Sequence, residues 1–185
     1  YDVVSPEDPY PFHTLQRIEK GKRIGNFYML KYAGVDKQGR WIVYDKNGDL
    51  VLADNATDDD RQYVGNGLPQ FTGSMTHTFR YKNWDASLFF QTALGFKIFN
   101  IHDFYYGTKN FQGNVMDKAY SKNLLVSQNP IVCDYFLEPG DYLKLSSINL
   151  GYSLNLNKKY IDAIRIYATV SNLFTITKFS GIDPS

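Results

Sequence analysis

The chain of 185 residues carries 20 basic and 19 acidic side chains, a formal net charge of +1, and so lacks the strongly basic footprint of a nucleic-acid binder. Its 15 Tyr, 13 Phe and 2 Trp, 16% of all residues, exclude collagen-like, low-complexity and disordered chains. No apolar run approaches the roughly 18 residues of a membrane helix, and the single cysteine, Cys133, leaves neither an internal disulfide framework nor a cysteine-cluster metal site.

From Tyr1 to about Lys20 the sequence is polar and bears Pro6, Pro9 and Pro11, which remove backbone donors and predict a loop. No charged, apolar, small-residue presequence is present, so a targeting signal is expected outside this stretch or already removed. Between Gly21 and Leu68, Asp36-Lys-Gln-Gly39 and Asp45-Lys-Asn-Gly48 punctuate Tyr28 to Val35, Trp41 to Tyr44 and Leu50 to Leu52, predicting short hairpin strands. The run Asp58-Asp59-Asp60 is expected in an exposed, solvated turn.

Period two is clearest from Gln70. Gln70, Thr72, Ser74, Thr76, Thr78, Arg80 and Lys82 are polar, while Phe71, Gly73, Met75, His77, Phe79 and Tyr81 are mostly apolar. After Asn83 the pattern resumes, with Trp84, Ala86, Leu88, Phe90, Thr92, Leu94, Phe96 and Ile98 on one face and Asp85, Ser87, Gln91 and Lys97 on the other. Phe89 and Phe99 interrupt the polar face. In the connection that follows, Asn114-Val-Met-Asp117 reads as a helix start, and Met116, Ala119, Tyr120 and Leu124 at helical spacing predict a short loop helix ending before Pro130.

Alternation returns in Ile148, Leu150, Tyr152, Leu154 and Leu156, and again in Ile164, Ile166, Ala168, Val170, Phe174 and Ile176, with Asn172 interrupting the apolar face and Tyr167 and Leu173 on the polar one. Soluble strands run to about 5 or 6 residues, whereas tilted bilayer-spanning strands need about 9 to 11. These four runs reach the longer class. The first pair turns tightly at Lys82-Asn83 and the second over Asn157 to Asp162, while the pairs are separated by a long connection from Ile101 to Gly140. Short turns on one side and long loops on the other are the wiring of transmembrane barrels. In hydrocarbon a spanning sheet must close, and four strands cannot, so they are expected to be part of a larger barrel, apolar face to lipid and polar face to the lumen. Tyr81, Trp84 and Tyr152 are the candidate membrane-interface aromatics. Core aromatics of a soluble sandwich are the competing reading.

Particular segments resemble a known family, the SusC/RagA-like TonB-dependent outer-membrane transporters of Bacteroidetes. They are Gly21-Lys-Arg-Ile-Gly-Asn-Phe-Tyr28, Tyr32-Ala-Gly-Val-Asp36, Val64-Gly-Asn-Gly-Leu-Pro-Gln-Phe71, Phe79-Arg-Tyr-Lys-Asn-Trp-Asp85, Gly140-Asp-Tyr-Leu-Lys-Leu145, Leu150-Gly-Tyr152, Arg165-Ile-Tyr167, Asn172-Leu-Phe174 and Ser180-Gly-Ile-Asp-Pro184. The resemblance implies an all-β fold, the C-terminal segment of a large antiparallel transmembrane β-barrel of the roughly 22-stranded, plugged class with long extracellular loops. It implies residence in the cell outer membrane and import of nutrient oligomers, glycans or peptides. The implied partners are a SusD-like surface lipoprotein, TonB through an N-terminal region that this chain lacks, outer-membrane lipid and the remainder of the same barrel. The family's final strand is expected after Ser185, so the chain alone is not expected to transport.

The resemblance also implies a C-terminus facing the periplasm, and on that orientation residues 1–69 form an extracellular loop region with short hairpins and 70–100 a barrel hairpin. Residues 101–140 make a long extracellular loop, 141–179 a second barrel hairpin, and 180–185 begin the last extracellular loop. No catalytic motif is present: His13, His77 and His102 are scattered, and Ser74 and Ser180 lack a nucleophile-elbow context. Asp45-Lys-Asn-Gly-Asp49 fits a hairpin turn better than a calcium loop. The expectation is therefore a non-enzyme without metal, cofactor or nucleic-acid partner. Trp41, Tyr44, Phe104, Tyr105, Tyr106 and Phe111 are the candidate substrate or partner contacts, because flat aromatic faces stack on sugars and anchor interfaces. Mutual packing of the loops is the alternative role for them. A soluble carbohydrate-binding module and a passive porin or adhesin barrel are the competing functions.

Overall fold

Two aspartates shape the first hairpins. In the computed structural model, which describes residues 15–123, 125–158 and 160–185, the Asp36 carboxylate accepts the amides of Gln38 (2.9 Å) and Arg40 (2.8 Å). Asp45 does the same for Asn47 and Asp49, both at 2.8 Å. Each side chain thus stands in for backbone acceptors in a tight turn. Gly48, at φ 89°, supplies the left-handed residue the second turn requires.

The strands in chain order are β1 Asn26–Met29, β2 Lys31–Val35, β3 Trp41–Tyr44, β4 Leu50–Leu52, β5 Gln62–Asn66, β6 Phe71–Tyr81, β7 Trp84–Leu94, β8 Lys97–Phe99, β9 Leu137–Pro139, β10 Tyr142–Lys158 and β11 Ile161–Thr177. One α-helix, α1 Ile101–Tyr106, follows β8. They fall into two compact units.

The first unit gathers residues 15–68, 96–139 and 179–182. Its small antiparallel sheets are β1–β5, β2–β3–β4 and β8–β9. Trp41, Phe104, Val126, Cys133 and Phe136 form one buried cluster and Phe27, Met29 and Leu137 another, with Phe99 and Val132 packed on both. Trp41 is fully buried, and its indole Nε1 donates to the Asn129 carbonyl at 2.9 Å. Burial pushes the Cys133 thiol up to about 12.

The second unit, residues 69–95, 140–178 and 183–185, is one antiparallel sheet in the order β11-β10-β7-β6. The β6–β7 register runs without interruption from Phe71↔Leu94 to Tyr81↔Trp84. Lys82 takes φ 53° in the turn between them. In β10 the register slips between Leu145 and Ser147 against both neighbours, a β-bulge centred on Ser146. Opposite it in β11 lie Asn172, at φ 54°, and Leu173. The bulge reverses the alternation. Leu143 and Leu145 therefore share a face with Ile148 and Leu150, and Phe174 and Ile176 share it with Val170.

Several expectations need correction. Tyr28 to Val35 is two strands, because Leu30 leaves the ladder to bridge Cys133. Beyond Leu94 the alternation ends at Gly95: Phe96 and Ile98 lie outside the long sheet, and Phe99, partly buried, packs against the core of the first unit. The helix is α1, with Asn100 as N-cap accepting from the Asp103 amide. The Asn114–Asp117 stretch leads only into a single 3-10 turn, Asp117–Ala119, without a side-chain cap. Leu124 lies outside the described residues, as do residues 1–14 with Pro6, Pro9, Pro11 and His13. The link Asn157 to Asp162 shortens, since β10 runs to Lys158 and β11 starts at Ile161. In the acidic run, Asp60 is buried rather than solvated: its carboxylate accepts the Thr57 amide at 2.7 Å and the Lys46 amide at 3.1 Å, which hold it below the usual carboxylate range.

Candidate functional site

Because directly paired residues share a face, the register sorts the long sheet into two surfaces. On one lie Met75, His77, Phe79, Tyr81, Trp84, Leu88, Phe90, Ile148, Leu150, Tyr152, Ile166 and Val170. On the other lie Ser74, Thr76, Thr78, Arg80, Asp85, Ser87, Gln91, Asn149, Ser153, Arg165 and Thr169, interrupted by Phe89 and Tyr167. The apolar surface is open, with Tyr81 70% and Ile166 62% exposed. Soluble monomers rarely leave so continuous an apolar area uncovered.

At one end of that surface Tyr81, Trp84 and Tyr152 form a row across β6, β7 and β10 through the pairs Tyr81↔Trp84 and Tyr152↔Trp84. The Trp84 and Tyr152 rings are 4.6 Å apart. Period two and a tight turn made this row legible beforehand.

The six loop aromatics divide. Trp41 and Phe104 are core residues and have no free face to offer a ligand, a correction that follows from the size of the first unit's clusters. Tyr44 is half-buried with Lys31 Nζ over its ring. Tyr105, Tyr106 and Phe111 stay partly exposed, and Tyr106 and Phe111 meet edge-on at 4.8 Å. Tyr106 also lines a largely apolar cavity of about 520 Å³ with His102, Val115, Met116 and Ile182.

One wall of this cavity is held by a clamp that sequence reasoning missed. Glu138 accepts the Ser180 amide and hydroxyl, both at 2.6 Å, and the Asn100 side-chain amide at 3.0 Å. Burial alone pushes the Glu138 carboxyl up, yet these donors bring it below its ordinary value. The partners are 38 to 42 residues apart, too far for local patterns. Among the described residues no group of three or more His, Cys, Asp or Glu is placed to hold a metal.

This is an all-β architecture of two units, one a sheet of long antiparallel strands, apolar on one side and polar on the other, and one of short sheets and loops with a core of its own. No family model matches the chain. The TonB-dependent receptor SusC of Bacteroides thetaiotaomicron is 30% identical over 189 residues, 94% of this chain and 17% of that protein. The TonB-dependent receptor P3 of Formosa agariphila is 28% identical over 96% of this chain and 20% of its own length. The solved structure of the RagAB peptide importer in its closed-closed state superposes with a TM-score of 0.73 at 25% identity, covering 92% of this chain and 22% of that one. The chain is a SusC/RagA-like TonB-dependent receptor sequence and carries that fold. It spans about a fifth of the length of these relatives.

Proposed function

We propose that the chain supplies part of the wall and outer loops of a TonB-dependent outer-membrane transporter that imports nutrient oligomers. The observation that carries this reading is the open apolar face shared by four strands, backed by a polar face. Eleven residues of β6 at about 3.3 Å each give roughly 36 Å, which a tilt of about 45° reduces to ~26 Å, the height of a barrel's apolar band. Tyr81, Trp84 and Tyr152 then sit at a membrane–water boundary, where an amphipathic ring is at home. The turn at Lys82-Asn83 faces the periplasm. The loops with Tyr44, Tyr105, Tyr106, Phe111 and the cavity beside Tyr106 face outward, contributing to the vestibule in which a glycan or peptide is met and a SusD-like lipoprotein closes. TonB acts through sequence outside these residues. Support for the assembly comes from the SusC and RagAB likenesses.

The test places a charge on either face of β7 in the full-length protein in lipid. Leu88→Arg, on the apolar side, is expected to cost about 2 to 4 kcal/mol and Ser87→Arg little. Equal tolerance at the two positions, or recovery of the intact native protein without detergent, refutes the membrane assignment.

A further inference from the structure

On the polar face beside the Lys82-Asn83 turn, Arg80, Lys82 and Arg165 share a recess of about 360 Å³ with one carboxylate, Asp85. Asp85 stands directly opposite Arg80 in the β6–β7 register, yet its carboxylate accepts instead from Arg165 Nη2 at 2.6 Å. Arg80 is left exposed, with no ion pair among the described residues. Lys82 Nζ lies 5.3 Å from the centre of the Tyr81 ring, a contact that leaves its charge uncancelled. Ser153 and Asn155 add a hydroxyl and an amide to the same recess, and Gly151 lies between Asp85 and Arg165 with no side chain to fill it. Three cations and one acid therefore line the recess, with neutral donors beside them.

We infer that this recess binds a carboxylate group, held by the Arg80 guanidinium as a charge-assisted, two-pronged pair and bordered by Lys82, Ser153 and Asn155. A guanidinium fork matches a carboxylate's two oxygens, and Asp85, bonded to Arg165, makes no ion pair with Arg80. The inference deepens the transporter reading, since it takes the polar face as water-lined. The carboxylate belongs either to an acidic solute passing along that face or to an Asp or Glu of the receptor's polypeptide outside residues 1–185.

The experiment uses full-length receptor in detergent, as wild type, Arg80→Gln and Arg80→Lys, with succinate titrated by calorimetry and unfolding midpoints measured at low and high salt. A solute site predicts succinate binding that weakens about tenfold or more in Arg80→Gln, which loses the two-pronged pair, and falls between the two in Arg80→Lys, which keeps the charge without the fork. A site filled by the receptor's own acid predicts no succinate binding to wild type. Its sign is a lower unfolding midpoint for Arg80→Gln at low salt, restored in part by Arg80→Lys and erased at high salt. No succinate binding together with an unaltered midpoint in Arg80→Gln overturns the inference. Neither readout depends on lipid or transport, so failure of the membrane assignment at Leu88 and Ser87 is a separate result.

Discussion

Asp85 on β7 and Arg165 on β11 are separated by the whole of strand β10, yet their side chains meet at 2.6 Å across Gly151. A Cβ at Gly151 would stand 2.6 and 2.8 Å from the Asp85 oxygens and 2.9 Å from Arg165 Nη2. Gly151→Ala therefore opens the ion pair. Because the pair is partly solvent-exposed and its atoms are the ends of flexible chains, the expected change in stability is below about 1 kcal/mol. A double-mutant cycle of Asp85→Asn and Arg165→Gln, run with and without Gly151→Ala, checks this: the coupling should vanish in the alanine background.

Trp41 offers a larger effect. It is fully buried among Tyr32, Tyr135 and Phe136, and its indole N–H satisfies the Asn129 carbonyl. Trp41→Ala is expected to destabilise the first unit by about 3 to 5 kcal/mol. Trp41→Phe, which keeps most of the volume and leaves that carbonyl without its donor, should cost about 1 to 3 kcal/mol. Denaturant unfolding followed by near-ultraviolet circular dichroism distinguishes the two.

The Glu138 clamp makes a pH prediction. Its carboxyl lies below its ordinary 4.5 when folded, so its contribution is fully present above that value. It declines as the pH falls from there and is gone once the lowered folded value has been passed. Amide exchange at Ser180, whose N–H donates to Glu138, should accelerate over that acidic interval relative to distant amides. Glu138→Gln should start faster and show no such step.

Cys133 should be chemically silent. Burial holds its thiol near 12, so almost no thiolate exists at neutral pH. Maleimide is expected to label it only after denaturation, and labelling of the folded protein would disprove the packing of that core.

The sequence made the long strands legible because one face is apolar and the other polar, as at Phe71 to Tyr81, and because two-residue turns leave a sharp mark at Lys82-Asn83. It hid the bulge at Ser146, since one extra residue reverses the parity of Leu143 and Leu145 and reads as a break in the pattern. α1 was missed because Ile101 to Tyr106 is rich in aromatics, and its cap, Asn100, gains its place by bonding to Glu138 and Ser180, far along the chain. The same distance concealed which loop aromatics were core. Trp41 and Phe104 look as available as Tyr106 until Cys133 and Phe136 are seen against them. Arg80 and Arg165, 85 positions apart, come together only through register.

Ladder pairing between β7 and β10 stops at Trp84↔Tyr152, and beyond it the pairs Leu154↔Ile164 and Asn155↔Ala163 of β10 and β11 have no third strand beside them among the described residues. A two-stranded ribbon in water holds together only weakly. These rungs should open first when the molecule is warmed, exchanging their protons while the three-strand rows at Leu88, Ile148 and Val170 keep theirs.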